Sequence, residues 1–470
     1  MENTIAFLEE YCDNVMWIDE SRKALALRMA KENHCIIEHD AATLKDTERH
    51  LVKRFLHTFQ GAGNKKFYYC FSEKIFPAGK ESKISIQRKY TCQKLVGHYK
   101  VVIVPFYDYD YRTEKEYEPF VCEVDAKDHK ITVDYFFDHE DMYQVSVYYI
   151  WDGEEYLLLT DNIYAVNEDL YALQYYKADF HMHTTYSDGY ETPEMTALAA
   201  YAYGLELIAV TDHNNYRGSV AAMERIRELG IDMTVISGEE YSLEYSPMHI
   251  LALGAPQEIN RKYISKAILD TDAAKKLKNS LGNMSCDVNA YTATQLLLDA
   301  VRRIGGVRVL AHPLWTPIFP NGHRMDTPES LFLELAKDKR FDGVELVSGS
   351  RPGEYSTSGM QAALAGQMLG NYTGIPIIGI TDSHRYSTDP ICGKHFTVIF
   401  SKDRSQDSVL QALRDGRCVA VEMVEGTPQC YGSYRYMKFS QFLINHYFPE
   451  RDEEKFIEAS LLEKKLLCRE

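Results

Sequence analysis

The stretch Tyr176-Lys177-Ala178-Asp179-Phe180-His181-Met182-His183, followed closely by Asp188, decides how this chain is read. A short strand-like run ends in two imidazoles set two residues apart. Alternate residues on a strand project to one face, so both side chains can reach one ion. Six further apolar runs follow, each beside a histidine or carboxylate with no apolar role. Residues 205–210 run into Thr211-Asp212-His213, and 233–237 lead into Gly238-Glu239. His249 precedes the run 250–254, and 307–310 stop just short of His312-Pro313. The run 343–347 carries Glu345 inside it, and 375–380 end in Thr381-Asp382-Ser383-His384.

Each motif taken singly is weak, since an isolated His-x-His is more often unrelated to metal and His312 alone reads as a core histidine. Their conjunction is what carries weight. Six of the 16 histidines fall at these strand edges together with carboxylates, and structural histidines have no reason to repeat that address. Imidazole and carboxylate donors in such a set suit zinc, iron or manganese. Of the adjacent pair Glu239 and Glu240, Glu239 follows the glycine and is taken as the donor, with Glu240 as the solvated member.

Between these runs lie helix-like segments at 193–203, 220–229, 292–303, 328–337, 360–369 and 408–414. Alternating β and α predicts a mainly parallel sheet with functional side chains at the C-terminal strand ends. Glu345, inside its run, and His249, ahead of its strand, depart from that expectation. The first 65 residues have helical spacing. Residues 66–170 change texture to short aromatic and β-branched runs with Gly, Asp and Lys turns, which predicts an antiparallel β-sandwich. Trp151-Asp152-Gly153 reads as a hairpin turn. Tyrosine-rich strands of this kind suggest packing or dimerisation before carbohydrate binding, so a homo-oligomer is compatible with the sequence. Residues 171–430 form the α/β domain and 431–470 a helical tail.

The net charge of −17 disfavours a large nucleic-acid ligand while leaving small phosphorylated substrates open. None of the ten cysteines forms a Cys-x-x-Cys pair, so neither a zinc ribbon nor a redox motif is expected. The first residues lack a basic region followed by an apolar core, and no apolar stretch is long enough to span a bilayer. The expectation is a soluble cytoplasmic protein with reduced thiols.

The order His-x-His with downstream Asp, Thr-Asp-His, Gly-Glu, His, His-Pro and Asp-Ser-His resembles the polymerase and histidinol phosphatase (PHP) superfamily. The resemblance covers about 175–425, and it is nearest to the stand-alone phosphoesterase branch that includes carbamate-hydrolase-like members. It implies a distorted (β/α)7 barrel and two or three divalent ions of zinc, manganese or iron. Carried over by position, His181, His183, Glu239 and Asp382 would hold the first ion, and Asp188, His213 and His384 the second. Glu239 as a bridge, His249 and His312 would hold the third. Thr381 and Ser383 depart slightly from the small residues common in the last motif.

The implied chemistry is hydrolysis of a small phosphate monoester or diester by a metal-bridged hydroxide. His249 is the candidate proton donor, and Asp212 would orient an imidazole or the nucleophile. Arg351 and Arg385 are candidate phosphate-binding residues because a guanidinium fork matches two oxygens. Lys394 and His395 are further candidates for phosphate binding, and a loop at 315–329 containing Trp315 is a candidate for the pocket wall. An amide or carbamate hydrolase with the same centre is the alternative, and a non-catalytic metal-binding module the third reading. A polymerase-linked proofreading nuclease is disfavoured, because the chain lacks polymerase length and basic patches.

Overall fold

The computed structural model describes residues 69–88, 95, 97–106, 118–151, 153–314, 327–348, 361–363, 365–366 and 375–467. The helical segment expected in the first 65 residues, Arg351, Trp315 and the loop at 315–326 lie outside the described residues. So does half of the helix expected at 360–369. The chain divides into two compact units, Met1–Tyr171 and Ala172–Glu470.

The first unit carries strands β1 (Tyr69–Phe71), β2 (Ile75–Pro77), β3 (Lys80–Arg88), β4 (His98–Pro105), β5 (Phe120–Asp125), β6 (Lys130–Phe137), β7 (Asp141–Trp151) and β8 (Glu154–Val166). They form a three-stranded sheet, β1-β3-β6, and a five-stranded sheet, β2-β8-β7-β4-β5. All pairs are antiparallel except β2 with β8. Burial alternates along β4 and β7, as period-two strands with one covered face require. Side chains from both sheets, among them Ile84, Ile131 and Phe137 on one and Val101, Tyr143 and Val145 on the other, share one core. Most of the tyrosines on these strands are therefore packing residues. Trp151 pairs with Glu154 across a two-residue connection, the hairpin expected from the Asp-Gly dipeptide.

The second unit holds β9 (Gln174–Met182), β10 (Leu207–Val210), β11 (Thr234–Val235), β12 (Glu240–Leu243), β13 (Ser246–Leu253), β14 (Val307–Ala311), β15 (Gly343–Val347), β16 (Ile377–Gly379), β17 (His395–Ser401), β18 (Cys418–Val424) and β19 (Thr427–Gly432). Each of the seven apolar runs contributes a strand. Helices Pro193–Ala202, Arg217–Leu229, Val288–Arg303, Glu329–Asp338 and Gln406–Arg414 fall where periodicity placed them. The strands are not paired in one continuous ladder. They form two sheets, β11-β10-β9-β17-β18-β19 and β12-β13-β14-β15-β16, joined by parallel bridges at Met182–Ser383 and His213–Glu240.

Two antiparallel insertions account for the difference. The chain doubles back from β12 into β13, so β13 runs against β14. The three strands β17–β19, not anticipated from the sequence, are also antiparallel, and β17 docks on the edge of β9. Apolar side chains from both sheets, including Phe180, Leu207, Leu251, Val309 and Ile378, share one core. Val288–Arg303 and Glu329–Asp338 pack on the second sheet through Leu297, Val301, Phe332 and Leu335. The tail contains Phe448–Leu467, anchored by Lys177 donating to Asp452 at 2.8 Å. Among the described residues, no helix is long and apolar enough to cross a membrane, and the six described cysteines are free.

Candidate metal centre

The C-terminal strand ends converge on one carboxylate. Glu240 is fully buried at the start of β12 and is bridged in parallel to His213 at the end of the β10 run. Its Oε2 lies 3.1 Å from His181 Nε2, 3.2 Å from His183 Nε2 and 3.0 Å from His213 Nδ1. Its Oε1 lies 2.8 Å from His249 Nδ1 and 3.3 Å from His312 Nε2. One carboxylate thus serves five imidazoles drawn from β9, the β10 end, β13 and the β14 end.

The antiparallel turn explains His249. Because β13 runs against β14, its early residue His249 pairs with Ala311, and it lies at the same end of the sheet as His312. Asp382 is brought in by the last motif: Asp382 N donates to His181 O at 3.0 Å, and His183 N donates to Ser383 O at 2.9 Å. His312 and Asp382 both sit in the left-handed backbone region, at φ 33° and 52°. Such conformations persist in non-glycine residues only where the surroundings hold them, and they concentrate at functional sites.

Three donor groups result: His181, His183, Glu240 and Asp382; His183, Asp188, His213 and His384; and His213, Glu240 and His249. The first is compact. His181 Nε2 is 3.2 Å from both His183 Nε2 and Asp382 Oδ1, and His183 Nε2 is 3.0 Å from Asp382 Oδ1. Ligands held tetrahedrally at zinc-like bond lengths would be about 3.3–3.4 Å apart, so these edges suit a small divalent ion. Glu240 Oε2 is buried and makes no hydrogen bond despite three nitrogens within 3.2 Å. An acceptor placed among ring nitrogens without hydrogen-bond alignment is what a shared cation would satisfy. The second group opens outward, with Asp188 57% exposed and its Oδ2 3.3 Å from His384 Nε2.

The electrostatics favour positive charge at the most buried donors. Burial alone would depress His181, but Glu345, Glu240 and Asp382 outweigh it and hold the imidazole well above its usual range. The same contest, won by Asp382 and Glu240, pushes His183 up to about 9. Burial would raise the Glu240 and Asp382 carboxyls, yet neighbouring imidazoles led by His181 hold both below the ordinary range. His213, with burial dominant, is depressed.

Eight of the nine expected donors come together, and Glu239 does not. Successive strand residues point to opposite faces: Glu239 shares a side with Tyr241, whose hydroxyl donates to its Oε2 at 2.7 Å. Glu240 shares the other with Ser242, which lies 2.8 Å from His213 Nδ1. Burial pushes the Glu239 carboxyl up to about 7. The carboxylate that stands among the candidate donors is therefore Glu240, and the adjacent glutamate belongs to the packing behind the strand. Glu345 also reaches the centre, 3.1 Å from His181 Nδ1.

Asp212 faces a loop instead of the donors. It accepts from Thr184 N at 2.8 Å, Thr184 Oγ1 at 2.7 Å and Ser187 Oγ at 2.7 Å, bracing the turn that carries Asp188. A Cβ at Gly218 would overlap Asp212 Oδ2, so glycine is what lets the helix Arg217–Leu229 approach this turn. Arg385 stacks 3.7 Å above the Tyr190 ring, and both line a cavity of about 420 Å³ with His384, Thr388 and Asp389. Lys394 is exposed, and His395 is buried beside Glu422 at 3.5 Å, so neither lies among the donors.

This donor set coincides with a family match. The PHP domain family matches residues 179–302, which include six of the described donors. The chain carries a PHP domain. The 5'-3' exoribonuclease Rnm of Salmonella typhimurium strain LT2 is 36% identical over 91 residues, covering 19% of this chain and 30% of that protein. A two-domain protein of Bacteroides vulgatus containing a predicted PHP-like metal-dependent phosphoesterase is 20% identical in structural superposition, over 53% of this chain and 65% of that one, with a TM-score of 0.36. A putative metal-dependent phosphoesterase of Bifidobacterium adolescentis gives 21% identity over 45% and 88%, with a TM-score of 0.30. The present chain thus spans under a third of the exoribonuclease.

Proposed function

We propose that this chain is a metal-dependent hydrolase acting on a small phosphate monoester or diester. The observation that carries the reading is the Glu240 carboxylate, buried and set among five imidazoles with Asp382 closing the first donor group. His181, His183, Glu240 and Asp382 would hold one ion, and His183, Asp188, His213 and His384 a second. Glu240 with His213, His249 and His312 would hold a third. Divalent ions there would lower the pKa of bound water towards neutrality and neutralise charge building on phosphoryl oxygens.

The protein's own side chains orient the reaction. His181 and His183 are fully buried, whereas His213, His249 and His384 are partly exposed, so substrate enters from the latter side. His249, where it is not taken up by the third ion, is the candidate to protonate the leaving oxygen. Arg385, held flat on Tyr190 beside His384, is the guanidinium assigned to a substrate phosphate oxygen. Asp212 acts at one remove by holding the turn of Asp188. A phosphoester fits the similarity to a 5'-3' exoribonuclease, whose substrates are phosphodiesters, and the surplus of negative charge on this chain favours small substrates over long RNA.

The test is metal analysis of the purified chain with hydrolysis assays on p-nitrophenyl phosphate, bis-p-nitrophenyl phosphate, an aryl carbamate and a single-stranded RNA oligonucleotide. His181→Ala serves as the control. Two or three ions per chain, with ester turnover lost in the variant, is the expected outcome. Turnover of the carbamate alone would move the activity to the amide side, and processive RNA cleavage would overturn the small-substrate part. Failure to bind zinc, manganese or iron would refute the reading.

A further inference from the structure

We infer that Glu345 is a positioning residue that sets the tautomer of His181 and braces His312, joining two donors of the centre without itself being one. The inference concerns the same site as the proposed hydrolase and rests on that reading for its functional consequence. Glu345 lies mid-strand in β15, opposite Ile378 of β16, and is fully buried. Its Oε1 and Oε2 are 3.1 and 3.2 Å from His181 Nδ1, and Oε2 accepts from the backbone N–H of His312 at 2.9 Å.

A carboxylate offers only acceptors. Facing His181 Nδ1 with both oxygens, it keeps the proton on Nδ1, so that the proton given up when a cation binds comes from Nε2, which faces His183, Glu240 and Asp382. The orientation of a metal-binding imidazole by a carboxylate on its other nitrogen is a recurrent device. What is particular here is the second contact. His312 adopts φ 33°, and its N–H is held by the same carboxylate, so one side chain fixes the imidazole of one donor and the backbone turn of another. The His181 and His312 rings stack 5.7 Å apart at 22°, in keeping with this common support.

Glutamine at 345 is the discriminating change because it keeps the shape but puts an NH₂ in place of one oxygen, and in either flip that NH₂ opposes His181 Nδ1 or His312 N. If its oxygen accepts from His312 N, its NH₂ faces His181 Nδ1 and drives the ring proton onto Nε2. If it flips, two N–H groups oppose each other at His312.

The experiment compares wild type and Glu345→Gln as full chains. It uses zinc titration, the visible spectrum after cobalt(II) loading, thermal melts without metal, and kcat and KM on whichever ester the wild type turns over. Affinity for the tightest zinc should fall about 10- to 100-fold, with an altered cobalt spectrum and a fall in kcat exceeding any change in KM. The metal-free melting temperature should change little. Wild-type affinity and spectrum in the variant would overturn the inference.

Should the variant not fold, ¹⁵N-histidine NMR of the wild type, taken at a pH where the His181 ring carries a single proton, tests the same claim. A proton on His181 Nδ1 supports it, and a proton on Nε2 with a bare Nδ1 overturns it. That readout needs no catalysis, so an inactive protein would count against the proposed hydrolase without deciding the brace.

Discussion

Replacing Glu240 with glutamine, beside the same change at Glu239, asks which of two adjacent carboxylates organises the centre. Glu240 contributes to two of the three donor groups, with nitrogens of five histidines within 3.3 Å of its oxygens. A partner that only orients a metal ligand is worth about 10- to 100-fold in affinity. Loss of a charged donor should therefore cost at least about 100-fold for each of two ions, roughly 2.7 kcal/mol apiece.

The fold itself should suffer less. Breaking a buried ion pair costs about 3–5 kcal/mol when a charge is stranded, but imidazoles can release their protons instead, so the loss in metal-free protein should stay below that range. Glu239→Gln differs in kind. Its oxygen still accepts from Tyr241, it touches no donor, and an amide resembles the protonated carboxyl that burial favours there. The assay is ions per chain after dialysis against a weak chelator, with turnover of bis-p-nitrophenyl phosphate alongside. Glu240→Gln should lose at least one ion and most of its activity at limiting metal, while Glu239→Gln keeps both. The reverse pattern would refute the assignment of Glu240.

Other expectations follow from packing and burial. Gly218→Ala pushes a methyl into Asp212 Oδ2, so overpacking of about 1–3 kcal/mol should appear as a lower melting temperature together with weaker occupancy of the Asp188 group. Retention of both would show that the turn does not depend on Asp212. Arg308 meets Asp342 through two side-chain bonds of 2.9 and 2.8 Å, and its backbone N–H donates to the same carboxylate. Asp342→Ala should cost about 3 kcal/mol in urea unfolding without changing metal content, and a cost near zero would mean the pair is solvated. Burial pushes the Cys418 thiol up to about 12. Its folded pKa lies above the usual value of 9.0, so thiolate is suppressed at neutral and mildly basic pH. At pH 8 its thiolate fraction falls by roughly a thousandfold, so a disulfide reagent should label it only after unfolding; rapid labelling of the native chain would contradict the burial.

Much of the centre was legible in residue order. His181, His183, His213, Asp382 and His384 sit where apolar runs stop, and a run that ends in donors reads the same in one dimension as in three. Glu240 was not legible in the same way. A Glu-Glu pair puts one carboxylate on each face of a strand, and the first sits closer to the glycine that marks the turn. The available signal was alternation: Tyr241 shares the side of Glu239 and packs in the apolar layer, whereas Ser242 shares the side of Glu240. Glu345 was undervalued because a carboxylate inside an apolar run has no partner visible in sequence, and its partners lie 164 and 33 residues away.

Periodicity and composition by themselves determined that residues after about 171 alternate strand and helix, that the preceding region is antiparallel, and that donors repeat at strand ends. Those properties are local, since an apolar stretch of strand length must be buried wherever it pairs. Only tertiary structure decided that β13 runs backwards and so delivers His249 to the end of β14. It also decided that β17 to β19 extend one sheet beyond β9, and that Glu240 stands where five imidazoles meet. Pairing direction and facing partner depend on segments far apart in the chain, and the free energy that selects them is spent on contacts no single stretch contains.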